Sequence, residues 1–347
     1  MNTTWQAHLS AQGARIEHDK VSDFGNPGEE SEATLNGDII ADLSHFGLIS
    51  ATGDDAQTFL HNQFTNDLKQ VDAQHSQLSA YCNPKGRMLA LFRAFKRDDT
   101  YFLSLPRETL GATLKRLRMF VLMSKATLED ASDALIHIGI AGPNATDRVT
   151  QRFGSAPNDI GAVTQADGVT IIRVAGPQPR YELYGELAAI QALWDDWRQT
   201  LRPVGAAAWE LLDIHAAIPV LHAANVEAFV PQMVNLEAVG GLSFTKGCYP
   251  GQEIVARMKY LGKLKRRMYV AHVDSDTPPE PSAAIMAGAD SGERKVGEIV
   301  MAQPVPQGGV DLLAVIEIES ANHHPLFLNT LDGPAVELKT LPYTIDG

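Results

Sequence analysis

Apolar residues recur along this chain with two different periods, and the alternation between them marks its elements. After Gly53, residues Ala56, Phe59, Leu60 and Phe64 fall on one helical face, with Asp54 and Asp55 placed to suit a first turn. That spacing predicts a helix which ends shortly before Asp67. Gln77 to Cys82 and Arg87 to Lys96 have strand character, and Asn83-Pro84-Lys85-Gly86 supplies turn chemistry between them. Asp98-Asp99 turns again into a strand over Tyr101 to Leu105. From Arg107 to Met123 the leucines at 110, 114 and 117 and Val121 restore the helical period, with Lys115, Arg116 and Arg118 on another face.

Further on, the pattern predicts a strand over Leu135 to Ala141 and a helix near Asn144 to Phe153. Strands over Val169 to Val174 and Arg180 to Tyr184 and a helix from about Glu186 to Leu201 follow. Strand, helix, strand, strand, helix is the order of a split α+β layer. Trp209 to Ala216 gives one more short helix. After Lys265 short alternating runs, Met268 to Val273, Val296 to Met301 and Leu312 to Glu319, are separated by Pro- and Gly-rich turns, a texture that predicts a small β-barrel. Residues 1–37 are polar, carry Asn26-Pro27-Gly28 and the acids Glu29, Glu30 and Glu32, and read as a loosely ordered lead-in.

Composition narrows the class. At 347 residues the chain exceeds what a single hydrophobic core usually serves, and 44% hydrophobic with 20% charged residues is globular composition. Only Cys82 and Cys248 are present, too few for a disulfide framework, and free thiols fit a reducing compartment such as the cytoplasm. Met1 to Asp19 lacks the apolar core of a signal peptide, and no run approaches the roughly 20 apolar residues of a membrane helix. With no such run no membrane partner is expected, and a net charge of −13 opposes general attraction to phosphate backbones, so direct nucleic-acid binding is not favoured.

The richest local chemistry lies in Lys246-Gly247-Cys248-Tyr249-Pro250-Gly251-Gln252-Glu253. A cysteine between glycines is open to approach, and a lysine two residues away favours the thiolate. A buried cysteine acting as a small hydrophobe is the alternative. Arg257, Lys259, Lys263, Lys265, Arg266 and Arg267 form a basic run suited to an anionic partner or to a solvated hairpin. His323-His324 has no carboxylate or thiol at ligand spacing, and two distant cysteines do not make a cluster site, so no metal site is assigned.

The run Ala217-Ile218-Pro219, Asn235-Leu236 and Gly240-Gly241-Leu242-Ser243-Phe244, continuing into K-G-C-Y-P-G-Q-E and Val255-Ala256-Arg257, closely resembles the YgfZ proteins. These are folate-binding relatives of the glycine-cleavage T-protein, an aminomethyltransferase. Gly53-Asp54-Asp55-Ala56, Phe59-Leu60, Phe64-Thr65-Asn66-Asp67 and Asn83-Pro84-Lys85-Gly86-Arg87 are similar to the T-protein superfamily more widely, and the matches span roughly Asp42 to Arg267. The resemblance implies an α+β T-protein-like fold of two intertwined α+β subdomains over residues 38–262, after a lead-in over 1–37, and a C-terminal β-barrel over 263–347. It implies binding of tetrahydrofolate or a one-carbon derivative, with Asp67 beside the folate nitrogens and Phe46 and Trp209 as aromatic contacts. Cys248 and Asp67 are the candidate catalytic residues. The implied role is to assist assembly or repair of iron–sulfur enzymes through transient contact with those enzymes or their assembly proteins, and so to affect tRNA modification. The alternative is a folate-dependent aminomethyltransferase or demethylase of the T-protein type. His215 stands where the T-protein pattern has a pterin-anchoring glutamate; an imidazole accepts once where a carboxylate accepts twice, which implies a weaker or shifted pterin, or Asp213 as a substitute.

Overall fold

The computed structural model describes residues 1–260, 262–289 and 292–345; of the expected barrel, 290, 291, 346 and 347 lie outside the described residues. The chain divides into two compact units. The first comprises Met1–Phe59, Leu68–Gln77 and Phe92–Leu212. Its main sheet runs, edge to edge, Val163–Ala166, Val169–Arg173, Arg180–Gly185, Ile136–Ala141, Ile39–Asp42 and Arg202–Val204. Every pairing is antiparallel except the last, where Arg202–Val204 runs parallel to Ile39–Asp42.

Because both faces of this sheet are covered, its strands are apolar on both sides, as in the fully buried Ile39–Asp42 and Ile136–Ala141. On one face Ile138, Ile140 and Leu183 meet Val149 of the helix Ala145–Phe153 and Ile190, Trp194 and Trp197 of the helix Leu187–Trp197. On the other, Ile39, Ala41, Ile172 and Tyr184 share a core with Leu48, Phe95, Phe102, Trp209 and Leu212. Strand Phe46–Thr52 lies between Thr100–Pro106 and Thr127–Asp130 in a second sheet.

Two expectations change here. Residues 1–37 are built into the first unit: the helix Thr3–Ala11 buries Trp5 and Leu9 completely, and the Trp5 indole donates to the buried Asp42 at 2.7 Å. Their few large apolar residues are spent on one core, which outweighs the polar average. The helix predicted to reach Met123 stops at Arg118, whose guanidinium donates to the Leu128 carbonyl at 2.9 and 2.7 Å. Beyond it Leu122 and Met123 are 86% and 97% exposed, so the apolar run there extends no buried face.

The second unit comprises Leu60–Asp67, Leu78–Leu91 and Asp213–Gly347. Its antiparallel sheet runs Leu326–Leu328, Ala284–Ala289, Gly292–Pro304, Val310–Glu317, Arg266–Val273 and Val336–Lys339. Register shifts at Ile285/Met286 and Ile299/Met301, of the kind that bend a sheet, accompany its curling into a half-barrel around Val273, Ile285, Val296, Leu312 and Ile316. The predicted barrel is therefore present as a curled sheet.

Candidate functional site

In the second unit, two motifs that are far apart in sequence meet backbone to backbone. Asn83-Pro84-Lys85-Gly86 closes its turn with Gly86 N–H donating to Asn83 C=O at 2.9 Å. Gly251 packs on that turn so closely that a Cβ on it would stand 2.4 Å from the Asn83 oxygen and 2.7 Å from Gly86 Cα, and its φ of +82° is itself a glycine conformation. Gln252, half-buried, then opens the helix Gln252–Tyr260, with Glu253 exposed in its first turn.

The rest of the loop alternates inward and outward. Lys246 is buried and its ammonium donates to the carbonyls of His61 and Phe64. Loss of hydration lowers its pKa to about 8, with the nearby Asp67 carboxylate pulling the other way. Tyr249 is also buried, with the Lys246 ammonium 5.2 Å from its ring centre. Gly247 and Cys248 are exposed. Cys248 is thus not a packed core residue, whereas Cys82 is, and burial pushes the Cys82 thiol up to about 12. The lysine expected to favour the thiolate instead ties the loop to the segment His61–Phe64.

That segment brings in a residue the pattern of the sequence concealed. His61, last in the helix Ala56–His61, holds its Nδ1 3.1 Å from Asp67 Oδ1. A Cβ on Gly247 would lie 3.7 Å from its Nε2. An imidazole–carboxylate pair therefore stands against Gly247, the residue adjoining Cys248. Asp67 keeps 27% of its side chain exposed.

The first unit holds a separate polar group within its aromatic core. Glu182 Oε2 accepts from the Tyr184 hydroxyl at 2.8 Å, with Arg93 Nε at 3.5 Å and His137 Nε2 at 3.7 Å. Burial alone raises a carboxyl pKa, but Arg93, His137 and Tyr184 outweigh it and hold Glu182 at about 2. The same burial and the Glu182 charge push Tyr184 well up. His137 stacks on Tyr184 at 4.0 Å between ring centres, and half-buried Phe46 lies 6.0 Å from His137. Arg93 Nε and His137 Nε2 thus face Glu182 at ion-pair range, while Nδ1 of His137 is buried without a hydrogen-bond partner.

Trp209 and His215 sit on one helix, Ala206–His215, in different settings. Trp209 is 1% exposed; its ring fills the space where Gly139 lacks a side chain, and the Arg180 guanidinium lies 3.9 Å above it. It supports the core that holds Tyr184 rather than offering a free face. His215 donates its Nε2 to Asp311 at 2.7 Å in the second unit, and Asp213 is buried. Among the described residues no group of three His, Cys, Asp or Glu side chains could hold a metal, and no helix is long and apolar enough to cross a membrane.

Comparison with known proteins agrees with this architecture. The GCVT N-terminal domain model matches residues 20–239. The structure superposes with a TM-score of 0.76 on aminomethyltransferase T of the glycine cleavage system from Bartonella henselae, at 16% identity over 98% of this chain and 96% of that one. The fold is thus the one shared by T-protein-like chains. In sequence, the chain is 32% identical over 318 residues to tRNA-modifying protein YgfZ of Colwellia psychrerythraea, covering 91% of this chain and 96% of that relative. The same-named protein of Edwardsiella ictaluri is 31% identical over 86% of this chain and 90% of its own length. This chain belongs to the YgfZ family.

Proposed function

We propose that this protein binds tetrahydrofolate or a one-carbon derivative and supports the assembly or repair of iron–sulfur enzymes, affecting tRNA modification through such a client. The observation that carries the folate reading is the Glu182 group. A pterin is flat and carries an amino group beside a ring N–H, a donor pair that one carboxylate accepts with two parallel hydrogen bonds. All three contacts to Glu182 fall on Oε2, and Phe46 and His137 offer ring surface beside it. On this reading Glu182 takes the anchoring role that the family pattern assigns to the position of His215.

The folate, when bound, carries the one-carbon unit or the reducing ring; the protein's part is to orient it and exclude water. The exposed Cys248 with the His61–Asp67 pair is the chemical end of the function, suited to transient engagement of a client or its cluster. An effect on tRNA is indirect, because a net charge of −13 opposes binding to its backbone. The family name of the relatives supports that outcome.

The test is calorimetric titration with tetrahydrofolate. The wild type should bind at micromolar strength, about 8 kcal/mol. Glu182→Gln, which keeps shape and loses the charge, should weaken binding by about 1.5–3 kcal/mol, or 10- to 150-fold. Cys248→Ser should bind folate as the wild type does and yet fail to restore iron–sulfur enzyme activity in a strain lacking the protein. Unaltered affinity in Glu182→Gln would remove the carboxylate from the site.

A further inference from the structure

A second set of ionisable side chains converges on the curled sheet of the second unit. Asp311, 4% exposed at its side chain, faces His272 across the pairing of Val310–Glu317 with Arg266–Val273. Its Oδ1 accepts from His272 Nδ1 at 2.8 Å and from Lys339 Nζ at 2.6 Å, and its Oδ2 accepts from His215 Nε2 at 2.7 Å. Burial alone raises such a carboxyl, but these three donors hold Asp311 far below the usual carboxylate range. An ionised carboxylate only accepts, so both imidazoles must present it an N–H. Their tautomers are thereby fixed: His215 has its second nitrogen at Nδ1 and His272 at Nε2, each able to take a further proton.

These residues line a cleft of about 500 Å³ together with Val270, Val305, Gln307, Gly308 and Thr340. That is the size of a small-molecule site. The carboxylate is at its base, while the side chains of His215, His272 and Lys339 remain 22%, 26% and 45% exposed. Lys339 spends one of its three protons on Asp311 and keeps two. Among the described residues Asp311 is the only acid in the lining; Glu337, paired opposite His272 on Val336–Lys339, is exposed and outside it. With the imidazoles neutral, Lys339 and Asp311 cancel, and each proton taken up by His215 or His272 leaves the cleft more positive.

We propose that this cleft binds a small oxyanion, the phosphate or carboxylate group of a small molecule, held by Lys339 and the two imidazoles while Asp311 fixes their orientation. Both Asp311 oxygens are already engaged by these donors, so the group does not present a metal-ligand set. The site is independent of the Glu182 group: a protein that binds no folate at all would still show it.

The experiment is a titration of the full chain with inorganic phosphate and, separately, with succinate, following the ring-nitrogen resonances of His215 and His272 by long-range proton–nitrogen NMR. Both imidazoles should respond saturably at millimolar concentrations or below, and heats measured in buffers of different ionisation enthalpy should report net proton uptake. Saturation by phosphate alone, by succinate alone or by both assigns the class of anion. Lys339→Met, at a half-exposed position, should shift the midpoint at least tenfold, and His272→Gln should do the same. Resonances that do not move, that drift linearly without saturation, or that titrate equally in Lys339→Met would overturn the proposal.

Discussion

Lys246 offers the sharpest test of how the cysteine loop is held. Its ammonium is buried, donates to the His61 and Phe64 carbonyls, and its pKa is lowered from 10.5 to about 8 by loss of hydration. At 1.36 kcal/mol per pH unit, that difference is worth about 3 kcal/mol. The sign follows from proton counts. Between pH 8 and 10.5 the unfolded chain holds the proton and the folded chain has released it, so folding stability rises with pH across this window and is lost again as pH falls to 8. An uncharged amine still donates to both carbonyls, so the hydrogen bonds survive while the burial cost disappears. Lys246→Met removes cost and bonds together. At pH 7 the two effects oppose each other, about 2–6 kcal/mol for the two orphaned carbonyls together against about 3 kcal/mol of relieved burial. Urea unfolding of both proteins from pH 7 to 10.5 should give a stability difference that widens by about 3 kcal/mol in favour of the wild type, and taking the difference cancels the titration of tyrosines common to both. Parallel profiles would refute the reasoning, because they would mean the amine is solvated and the loop is not anchored through it.

Other outcomes follow from the same region. Iodoacetamide at pH 8 followed by mass spectrometry should modify Cys248 in the native protein and leave Cys82, whose thiol lies at about 12, unmodified until unfolding; equal labelling would contradict the assigned burial. Gly251→Ala places a methyl 2.4 Å from the Asn83 oxygen at a φ of +82° and should cost about 3 kcal/mol or more in urea unfolding, whereas Gly240→Ala, at +72° with nothing within 4 Å, should cost only about 1–2 kcal/mol.

Much of the local structure was legible in the chain because short-range chemistry decides it. The strand Gln77–Cys82 and the Asn83–Gly86 turn fall where alternation and turn residues put them. The helix after Arg107 ends before the period does, because Val121 is only half-buried and Met119, Phe120, Leu122 and Met123 around it are exposed. At the site, the glycines and cysteine of the K-G-C-Y-P-G-Q-E run were conspicuous, but their partners were not. His61 looked like one polar position on an amphipathic helix, and its pairing with Asp67 depends on how the chain turns at Phe64. Glu182 is a single acid in Arg180–Gly185, and only the tertiary approach of Arg93 and His137 turns it into an ionised, largely enclosed group. The family resemblance implies a ligand contact at Trp209, whereas the missing side chain at Gly139 and the guanidinium of Arg180 give it a core position. Both facts sit far from it in sequence.

The cysteine motif divides its labour by direction. Lys246 and Tyr249 point inward and bind the loop through buried contacts, while Gly251 lets it cross the Asn83–Gly86 turn at a distance no side chain allows. Gly247 and Cys248 are what these anchors leave in solvent. An exposed thiol on an unanchored loop would sample many orientations, and each reactive encounter would carry that entropy. Here the ordering is done during folding, by Lys246, Tyr249 and Gly251, so on the proposed function the thiol is presented at low cost. Replacing Lys246 or Gly251 should therefore impair presentation while leaving the thiol in place, and replacing Cys248 should do the reverse.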